Sequence, residues 1–244
     1  ELMNKGAVLP NNIWSAYANT NYKDLVLNIH LENIAAGANI ITANTFRTTP
    51  RSYLKMGLSN GDAIQYAHKS MMSAINISKR AAGNSAIVLA SIAPLEDCYK
   101  PELYPGNKIA QNEFHLLGSW INNSNADGIL LETMNNISET DAALKALEFY
   151  KLPIYVSFYL VDSNHLASGE TLKSALKMLA NYSIECVLLN CIPLNIMEKA
   201  IYNLINLFNG KWGLYPNLGI GTPLPDGNIQ KKSSDEQFLV LIKR

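Results

Sequence analysis

The chain has 244 residues, of which 48% are hydrophobic and 16% are charged, so it can bury a large core and is not intrinsically disordered. Its 20 Lys and Arg residues balance its 20 Asp and Glu residues. Zero net charge argues against a dedicated nucleic-acid binder, which needs a basic face, and against polybasic docking to a membrane. No apolar run reaches the length of about 18 residues that a transmembrane helix needs.

The cysteine content indicates a reducing compartment. Cys98, Cys186 and Cys191 are too few for a disulfide scaffold and are typical of free thiols in a cytoplasmic protein. The first residues contain no basic segment followed by an apolar one, so no signal peptide is expected. Since no linker or shift in composition interrupts the chain, we predict one domain spanning residues 1–244.

Six short apolar runs alternate with longer amphipathic segments. The runs show little strict alternation of polar and apolar residues, which is typical of parallel strands that are buried on both faces. The predicted strands are residues 38–45, 86–92, 128–132, 154–159, 186–191 and 212–215. The predicted helices are residues 22–36, 62–82, 107–123, 138–150, 168–181 and 195–208, with a final helix over residues 235–243.

Local signals support several of these boundaries. Ser138 is followed three residues later by Asp141, a spacing that predicts a helix N-cap at Ser138. Gly37, Gly83 and Gly210 stand where predicted helices end. Residues 219–234 are rich in Gly, Pro, Asn and Ser and are predicted to form a loop.

The order of strand then helix, repeated six times, predicts an α/β fold. Polar residues follow all six strands, which favours a (β/α)8 TIM barrel, because a doubly wound sheet has functional residues only at its switch point. No G-x-G-x-x-G loop follows the first strand, which argues against a nucleotide-binding sheet. A closed barrel needs eight strands, so the first and last are expected before Glu1 and beyond Arg244. The residues predicted at one rim are Asn44, Ser91, Glu132, Ser157, Cys191 and Asn217.

Two of these residues bring reactive groups to strand ends. Cys191 is a candidate nucleophile or soft metal ligand, with a small buried residue as the alternative. Glu132 closes an apolar strand, where a carboxylate needs solvent, a cation or a substrate ammonium, with a rim salt bridge as the alternative. Asn44 and Thr45 offer neutral donors and acceptors that suit the polar groups of an amino acid, or that cap a turn.

The other candidate ligands form no recognisable site. Cys186 and Cys191 are five residues apart on one strand, so their side chains point to opposite faces and cannot share an ion. Three of the four histidines are predicted on helices as partly buried residues of the outer layer, and the fourth in a loop without a visible partner. The four are His30, His68, His115 and His165. No Ser-His-Asp order is present that would indicate a hydrolase.

Several strand-end segments together resemble the homocysteine S-methyltransferases. In chain order, the matching segments are His30 with residues 36–38 (AGA), 41–46 (ITANTF), 90–94 (ASIAP), 126–133 (ADGILLET), Asn190-Cys191 with Pro193, and Tyr215-Pro216-Asn217 with Gly219. Residues 95–102 (LEDCYKPE) resemble bacterial members of that family. Each segment alone is weak evidence, whereas their common order and spacing are specific.

The resemblance implies a β/α barrel that transfers a methyl group to the thiol of homocysteine, forming methionine. It implies a zinc ion held by three thiolates, of which Cys191 would be one, and no further catalytic side chain. The other two belong to a Gly-Gly-Cys-Cys motif that this sequence lacks, so we expect this chain to bind zinc weakly. Zinc would deprotonate the homocysteine thiol, which then attacks the methyl carbon of the donor.

The resemblance also assigns the substrate contacts. Glu132 would bind the homocysteine ammonium, and Asn44, Thr45 and Ser91 would help to hold its polar end. Thr133 and Asn217, in the same motifs, complete the predicted substrate-binding residues. The methyl donor stays open among S-methylmethionine, S-adenosylmethionine and betaine-type donors, which relatives use.

Two other functions are compatible with the sequence. An amino-acid-binding barrel that has lost zinc and catalysis would also retain these motifs, and a Gly-Gly-Cys-Cys run beyond Arg244 would argue against it. A barrel lyase or aldolase would need a Schiff-base Lys at a strand end. No predicted strand ends in Lys, so this function ranks last.

Overall fold

The computed structural model describes residues 1–217, 219–220, 231–232 and 234–242. Its centre is a six-stranded parallel sheet in which each strand pairs with the next one along the chain. The strands are β1 (Ile40–Ala43), β2 (Ile87–Ile92), β3 (Gly128–Met134), β4 (Ile154–Phe158), β5 (Cys186–Asn190) and β6 (Trp212–Tyr215). All six predicted strands are confirmed, with β1 shorter and β3 longer than predicted.

Helices connect the strands. They are α1 (Ala18–Asn21), α2 (Lys23–Ala35), α3 (Pro50–Leu54), α4 (Asn60–Ala82), α5 (Asn107–Asn122), α6 (Ile137–Leu147), α7 (Leu172–Leu179), α8 (Leu194–Leu207) and α9 (Asp235–Ile242). Short 3-10 helices cover Met3–Lys5, Trp14–Tyr17 and Pro101–Leu103. The short helices α1 and α3 escaped prediction because a single turn carries no helical period. Within the described residues, no helix combines the length and apolar character needed to cross a membrane.

Two predicted boundaries were wrong. Helix α6 is capped by Asn136, whose Oδ1 accepts a hydrogen bond from the Glu139 backbone N–H at 2.7 Å. The predicted cap at Ser138 is therefore displaced by a better acceptor two residues earlier. Helix α7 begins at Leu172 and not near residue 168, because residues 160–171 form antiparallel bridges.

The predicted loop over residues 219–234 contains two short strands. Strand β7 (Gly219–Ile220) pairs antiparallel with β8 (Lys231–Lys232). The loop prediction was therefore wrong for these four residues. Residues 221–230 and 233 lie outside the described residues, as does Lys243 at the end of the predicted last helix.

The strand order decides between the two α/β architectures. The sheet runs β1-β2-β3-β4-β5-β6 without a reversal, whereas a doubly wound sheet reverses at its switch point. A flat sheet would separate β3 from β5 by roughly 10 Å, yet Asn190 on β5 donates from Nδ2 to Thr133 Oγ1 on β3 at 2.8 Å. The sheet is therefore curled. In the described part of the chain β1 and β6 each have one neighbour, so the structure is a partial barrel.

The main core lies between the sheet and the helices that follow it. Fully buried side chains from the strands, including Leu131 and Phe158, pack in one cluster with Met71 and Ile75 of α4 and Phe114 of α5. Burying each such side chain contributes about 1.5–3 kcal/mol. This packing fixes the strands, and therefore their carboxyl ends, relative to one another.

Candidate active site

Hydrogen bonds join the carboxyl ends of β1, β2 and β3. Thr45, just after β1, donates from Oγ1 to the Ser91 carbonyl on β2 at 2.7 Å. Ser91 donates from Oγ to Glu132 Oε2 on β3 at 2.5 Å. These contacts place Ser91 and Glu132 together at the predicted rim, with the Thr45 side chain turned toward β2.

A second network joins β3, β4 and β5 through Asn190. Its Oδ1 accepts a hydrogen bond from Ser157 Oγ at 2.6 Å, and its Nδ2 donates to Thr133 Oγ1 at 2.8 Å and to Cys191 Sγ at 3.2 Å. Asn190 and Ser157 are fully buried. Asn217 donates from Nδ2 to the Cys191 carbonyl at 2.8 Å. Of the six residues predicted at one rim, Ser91, Glu132, Ser157, Cys191 and Asn217 therefore lie at the same edge, while the Asn44 side chain is engaged by the N-terminal segment.

Glu132 is half-buried as a residue, but its carboxyl group is enclosed by protein at the edge of the curled sheet. Burial raises the pKa of Glu132, and the Ser91 hydroxyl and then the neighbouring Tyr215 hydroxyl oppose that shift. Glu132 forms no salt bridge with any described residue, so the alternative of a rim salt bridge is not realised there. A buried carboxylate without a cation is costly to ionise, and a cationic ligand would offset that cost.

The Tyr215 side chain belongs to the site, although the sequence analysis assigned it no role. Its hydroxyl is buried and lacks a hydrogen-bond partner, although Glu132, Ser157 and Cys191 are electrostatic neighbours. Burial and then the Glu132 charge raise the pKa of Tyr215, so the hydroxyl keeps its proton. The tyrosine was visible in the matching segment, but the sequence does not reveal that its ring reaches toward β3.

Cys191 follows β5 in a left-handed backbone conformation, with φ at 54°. Thr133 at the end of β3 has φ at 60°, where the β3–β4 register shifts. Positive φ is uncommon for residues other than Gly, and it clusters at functional sites. Burial and then the negative charge of Glu132 raise the pKa of the Cys191 thiol, so the thiol is protonated near neutral pH.

The loop after β2 brings a second cysteine to this edge. Cys98 is buried and interacts electrostatically with Cys191, and burial raises the pKa of its thiol to about 12. Asn135 holds the loop by donating from Nδ2 to the Cys98 carbonyl at 2.9 Å. Next to it, the Tyr99 ring meets the Tyr159 ring edge-on, with centroids 5.0 Å apart. Cys98 therefore lies near Cys191, a proximity that the sequence did not predict.

Asn44 is engaged away from these groups. Its Nδ2 donates to the Ser15 carbonyl at 2.7 Å and to Asn19 Oδ1 at 2.8 Å. Asn19 in turn donates to the Asn44 carbonyl at 2.9 Å. Both partners belong to the N-terminal segment, far from Asn44 in sequence. Its predicted role in substrate binding stays a prediction.

The described residues do not supply a zinc site. No group of three or more His, Cys, Asp or Glu side chains among them is arranged to hold a metal. Cys186, at the start of β5, lies five residues from Cys191, and a strand of that length spans about 17 Å. A zinc site needs three protein ligands or more, so the three-thiolate set implied by the resemblance does not fit the described side chains.

The histidines lie outside this edge of the sheet. His30 is buried on α2 against Ser78 Oγ at 3.0 Å, and burial lowers its pKa. His68 packs on Trp120. His115 contacts Tyr150, and His165 contacts Asp162. Each histidine therefore has a structural neighbour, and none is brought to Cys191.

Comparison with known proteins identifies the family. The pattern of the homocysteine S-methyltransferase family matches residues 1–240. Homocysteine S-methyltransferase 1 of Arabidopsis thaliana is 27% identical over 235 residues, covering 88% of this chain and 72% of that protein. Homocysteine S-methyltransferase of Escherichia coli is 26% identical over 234 residues, covering 90% of this chain and 75% of that protein.

A solved structure supports the fold. The metallated form of the homocysteine methyltransferase MmuM from Escherichia coli matches with a TM-score of 0.80 and 24% identity, over 90% of this chain and 81% of that chain. This likeness agrees with a partial TIM barrel built from the six parallel strands. Because the family pattern covers nearly all residues, the chain belongs to the homocysteine S-methyltransferase family.

Proposed function

We propose that this chain transfers a methyl group to the thiol of homocysteine, forming methionine, at the edge that carries Glu132 and Cys191. The half-buried Glu132 side chain, with its carboxyl group enclosed by protein, is the observation that carries the assignment to this site. It is held by Ser91 at 2.5 Å and has no cationic partner among the described side chains. The ammonium of an amino-acid substrate supplies the missing positive charge.

The reaction is a displacement at a methyl carbon. The homocysteine sulfur forms a bond to the methyl group, and the bond from that carbon to the donor breaks. With a sulfonium donor, the donor sulfur keeps the electron pair and leaves as a neutral thioether, while the thiol proton passes to solvent. The protein's contribution is to hold both reactants in line inside the curled sheet.

The donor is proposed as S-methylmethionine or S-adenosylmethionine, with betaine-type donors as the further candidates. Zinc stays an expectation from the family, with Cys191 as its proposed ligand here. No step above depends on it, because the described residues lack a complete ligand set. A cytoplasmic location is proposed on the three free cysteines.

The remaining predicted residues have protein partners that define their proposed roles. Thr45, Ser91 and Thr133 join neighbouring strand ends through their hydroxyls, and Asn217 joins β6 to Cys191. We propose that they shape the homocysteine site mainly by fixing Glu132 and Cys191. Their direct contact with substrate stays a prediction.

The test is a methyl-transfer assay on the 244-residue chain, with methyl-labelled S-methylmethionine, S-adenosylmethionine or betaine and detection of labelled methionine. We expect Glu132→Gln to raise the KM for homocysteine by about tenfold to a hundredfold, because a charge-assisted hydrogen bond is lost. The matched control is Glu102→Gln, an exposed carboxylate in a loop helix, which should leave KM unchanged.

Three results would contradict this proposal. Absence of labelled methionine with every donor would argue against the activity. Homocysteine binding without methyl transfer would support an amino-acid-binding barrel. An unchanged KM in Glu132→Gln would remove Glu132 from the substrate site.

A further inference from the structure

The Tyr215 hydroxyl stands apart from the other buried polar side chains. Among the described residues it is the buried side-chain polar atom that lacks a hydrogen-bond partner. Its neighbours Ser157 and Glu132 lie close enough to influence its pKa by hydrogen bonding, but their bonds of full hydrogen-bond geometry are to Asn190 at 2.6 Å and to Ser91 at 2.5 Å. The hydroxyl therefore lies in a polar pocket without completing a hydrogen bond in it.

An unsatisfied buried hydroxyl has an energetic cost that a native structure rarely accepts without a reason. Tyr215 ends β6, where its backbone carbonyl accepts a hydrogen bond from the Cys191 N–H at 3.2 Å. Its backbone is thus fixed beside Cys191, and its ring extends across the interior toward Glu132. Phenylalanine would fill the same space without the cost, so the hydroxyl points to a ligand.

The chemistry of the pocket selects the ligand group. Glu132 is a pure acceptor when ionised, and the Tyr215 hydroxyl, which keeps its proton, is a donor. An α-amino acid carries an ammonium and a carboxylate on one carbon, so a neighbouring acceptor and donor match its two groups. The ammonium belongs at Glu132, and the carboxylate belongs at the hydroxyl.

We propose that Tyr215 is a substrate-positioning residue whose hydroxyl donates a hydrogen bond to the α-carboxylate of homocysteine. This inference rests on the proposed function and deepens it by assigning the second half of the amino-acid group. It makes the pair Glu132 and Tyr215 selective for a zwitterion, so thiols that lack either charge bind weakly.

The test measures binding by calorimetry with three thiols under reducing conditions. They are homocysteine, 3-mercaptopropylamine, which lacks the carboxylate, and 4-mercaptobutyrate, which lacks the ammonium. We expect Tyr215→Phe to weaken homocysteine and 4-mercaptobutyrate by about tenfold to a hundredfold, and to leave 3-mercaptopropylamine unchanged. Glu132→Gln should give the complementary pattern, weakening only the two thiols that carry an ammonium.

Two controls separate positioning from structure. Tyr155→Phe changes a tyrosine on β4 that lies near Glu185 and Lys211, away from the site, and should alter no affinity. The melting temperature of Tyr215→Phe should equal or exceed that of the wild type, because an unsatisfied polar atom is removed. A bound water would also satisfy the hydroxyl, but it would not make the loss depend on the ligand's carboxylate.

The outcomes distinguish this inference from the proposed function. Equal losses for homocysteine and 3-mercaptopropylamine in Tyr215→Phe, or no loss for homocysteine, would overturn the assignment of Tyr215 while Glu132→Gln still weakened binding. If the wild-type chain failed to bind homocysteine, or if Glu132→Gln had no effect, the proposed site itself would be wrong.

Discussion

The ends of β1 and β3 carry polar residues that look alike in the sequence but differ in the folded chain. Beside β1, the Asn44 and Thr45 side chains donate to nearby protein groups. Around β3, the half-buried Glu132 has no cationic partner among the described side chains, and the buried Tyr215 hydroxyl completes no hydrogen bond there. The first region stabilises the fold, whereas the second carries a cost that a ligand would offset.

This difference separates residues that stabilise the fold from residues that bind the ligand, although both kinds lie at the same edge of the sheet. Groups with complete hydrogen bonds lower the free energy of the folded chain, and replacing them affects stability first. Groups that are buried and incomplete affect ligand affinity first, and their removal can stabilise the protein. Each prediction below assigns a residue to one of these two classes.

The largest expected effect on the free energy of unfolding comes from replacing Asn190, the centre of the hydrogen-bond network that joins β3, β4 and β5. Asn190→Ala removes hydrogen bonds to Ser157, Thr133 and Cys191 and leaves buried groups unsatisfied. We expect the free energy of unfolding to fall by about 3 kcal/mol, measured by urea denaturation. Asn206→Ala, an exposed control on α8, should change it by less than about 0.5 kcal/mol. Equal effects would show that Asn190 is not a structural centre.

Asn44→Ala is expected to have a smaller effect of the same kind. It removes the donor to Ser15 and Asn19, so the free energy of unfolding should fall by about 1–2 kcal/mol. Homocysteine affinity should stay within about twofold, since the Asn44 amide already donates to Ser15 and Asn19. Calorimetry that instead found a large loss of affinity with unchanged stability would place Asn44 in the substrate site.

The pH dependence of stability provides a third test, through Glu132. Burial raises its folded pKa above the ordinary value of 4.5, so the folded state binds more protons than the unfolded state between these two pKa values. The contribution of Glu132 to stability is therefore greatest below pH 4.5 and falls as the pH rises through the folded pKa. We expect Glu132→Gln to be more stable than the wild type at neutral pH.

This pH effect is measured by denaturation of both proteins across the acidic to neutral range. The neighbouring groups that can charge, Tyr215 and Cys191, both have raised pKa values and stay neutral in that range. Saturating homocysteine should reduce the difference between the two proteins at neutral pH, because the ammonium pairs with the charged carboxylate. A difference that did not vary with pH would show that Glu132 keeps its ordinary pKa.

The smallest expected effect is that of Cys191→Ser on the amount of zinc that the chain retains. Cys191 lacks further ligands among the described residues, and one thiolate does not hold zinc against water. After dialysis the 244-residue chain should retain much less than one zinc per chain, and Cys191→Ser should change that amount little. Stoichiometric zinc in both proteins, measured by elemental analysis, would contradict this account.

Much of the fold was predictable because its signals are local. Apolar runs predicted all six strands, and helical periods predicted the helices between them, with errors mainly at boundaries. At the boundary of α6, Asn136 competes with Ser138 as the cap, and only the backbone conformation decides between them. The residues Ser91, Glu132 and Cys191 were found because each closes an apolar strand.

The sequence by itself determined which strands form and which motif residues stand at their ends, since both depend on short-range patterning and on the direction of parallel strands. Only the tertiary structure decided which side chains meet. The curling of the sheet brings Tyr215 toward Glu132, and the N-terminal segment supplies Ser15 and Asn19 to Asn44. Such contacts depend on the packing of residues that are distant in the chain, and no local pattern encodes them.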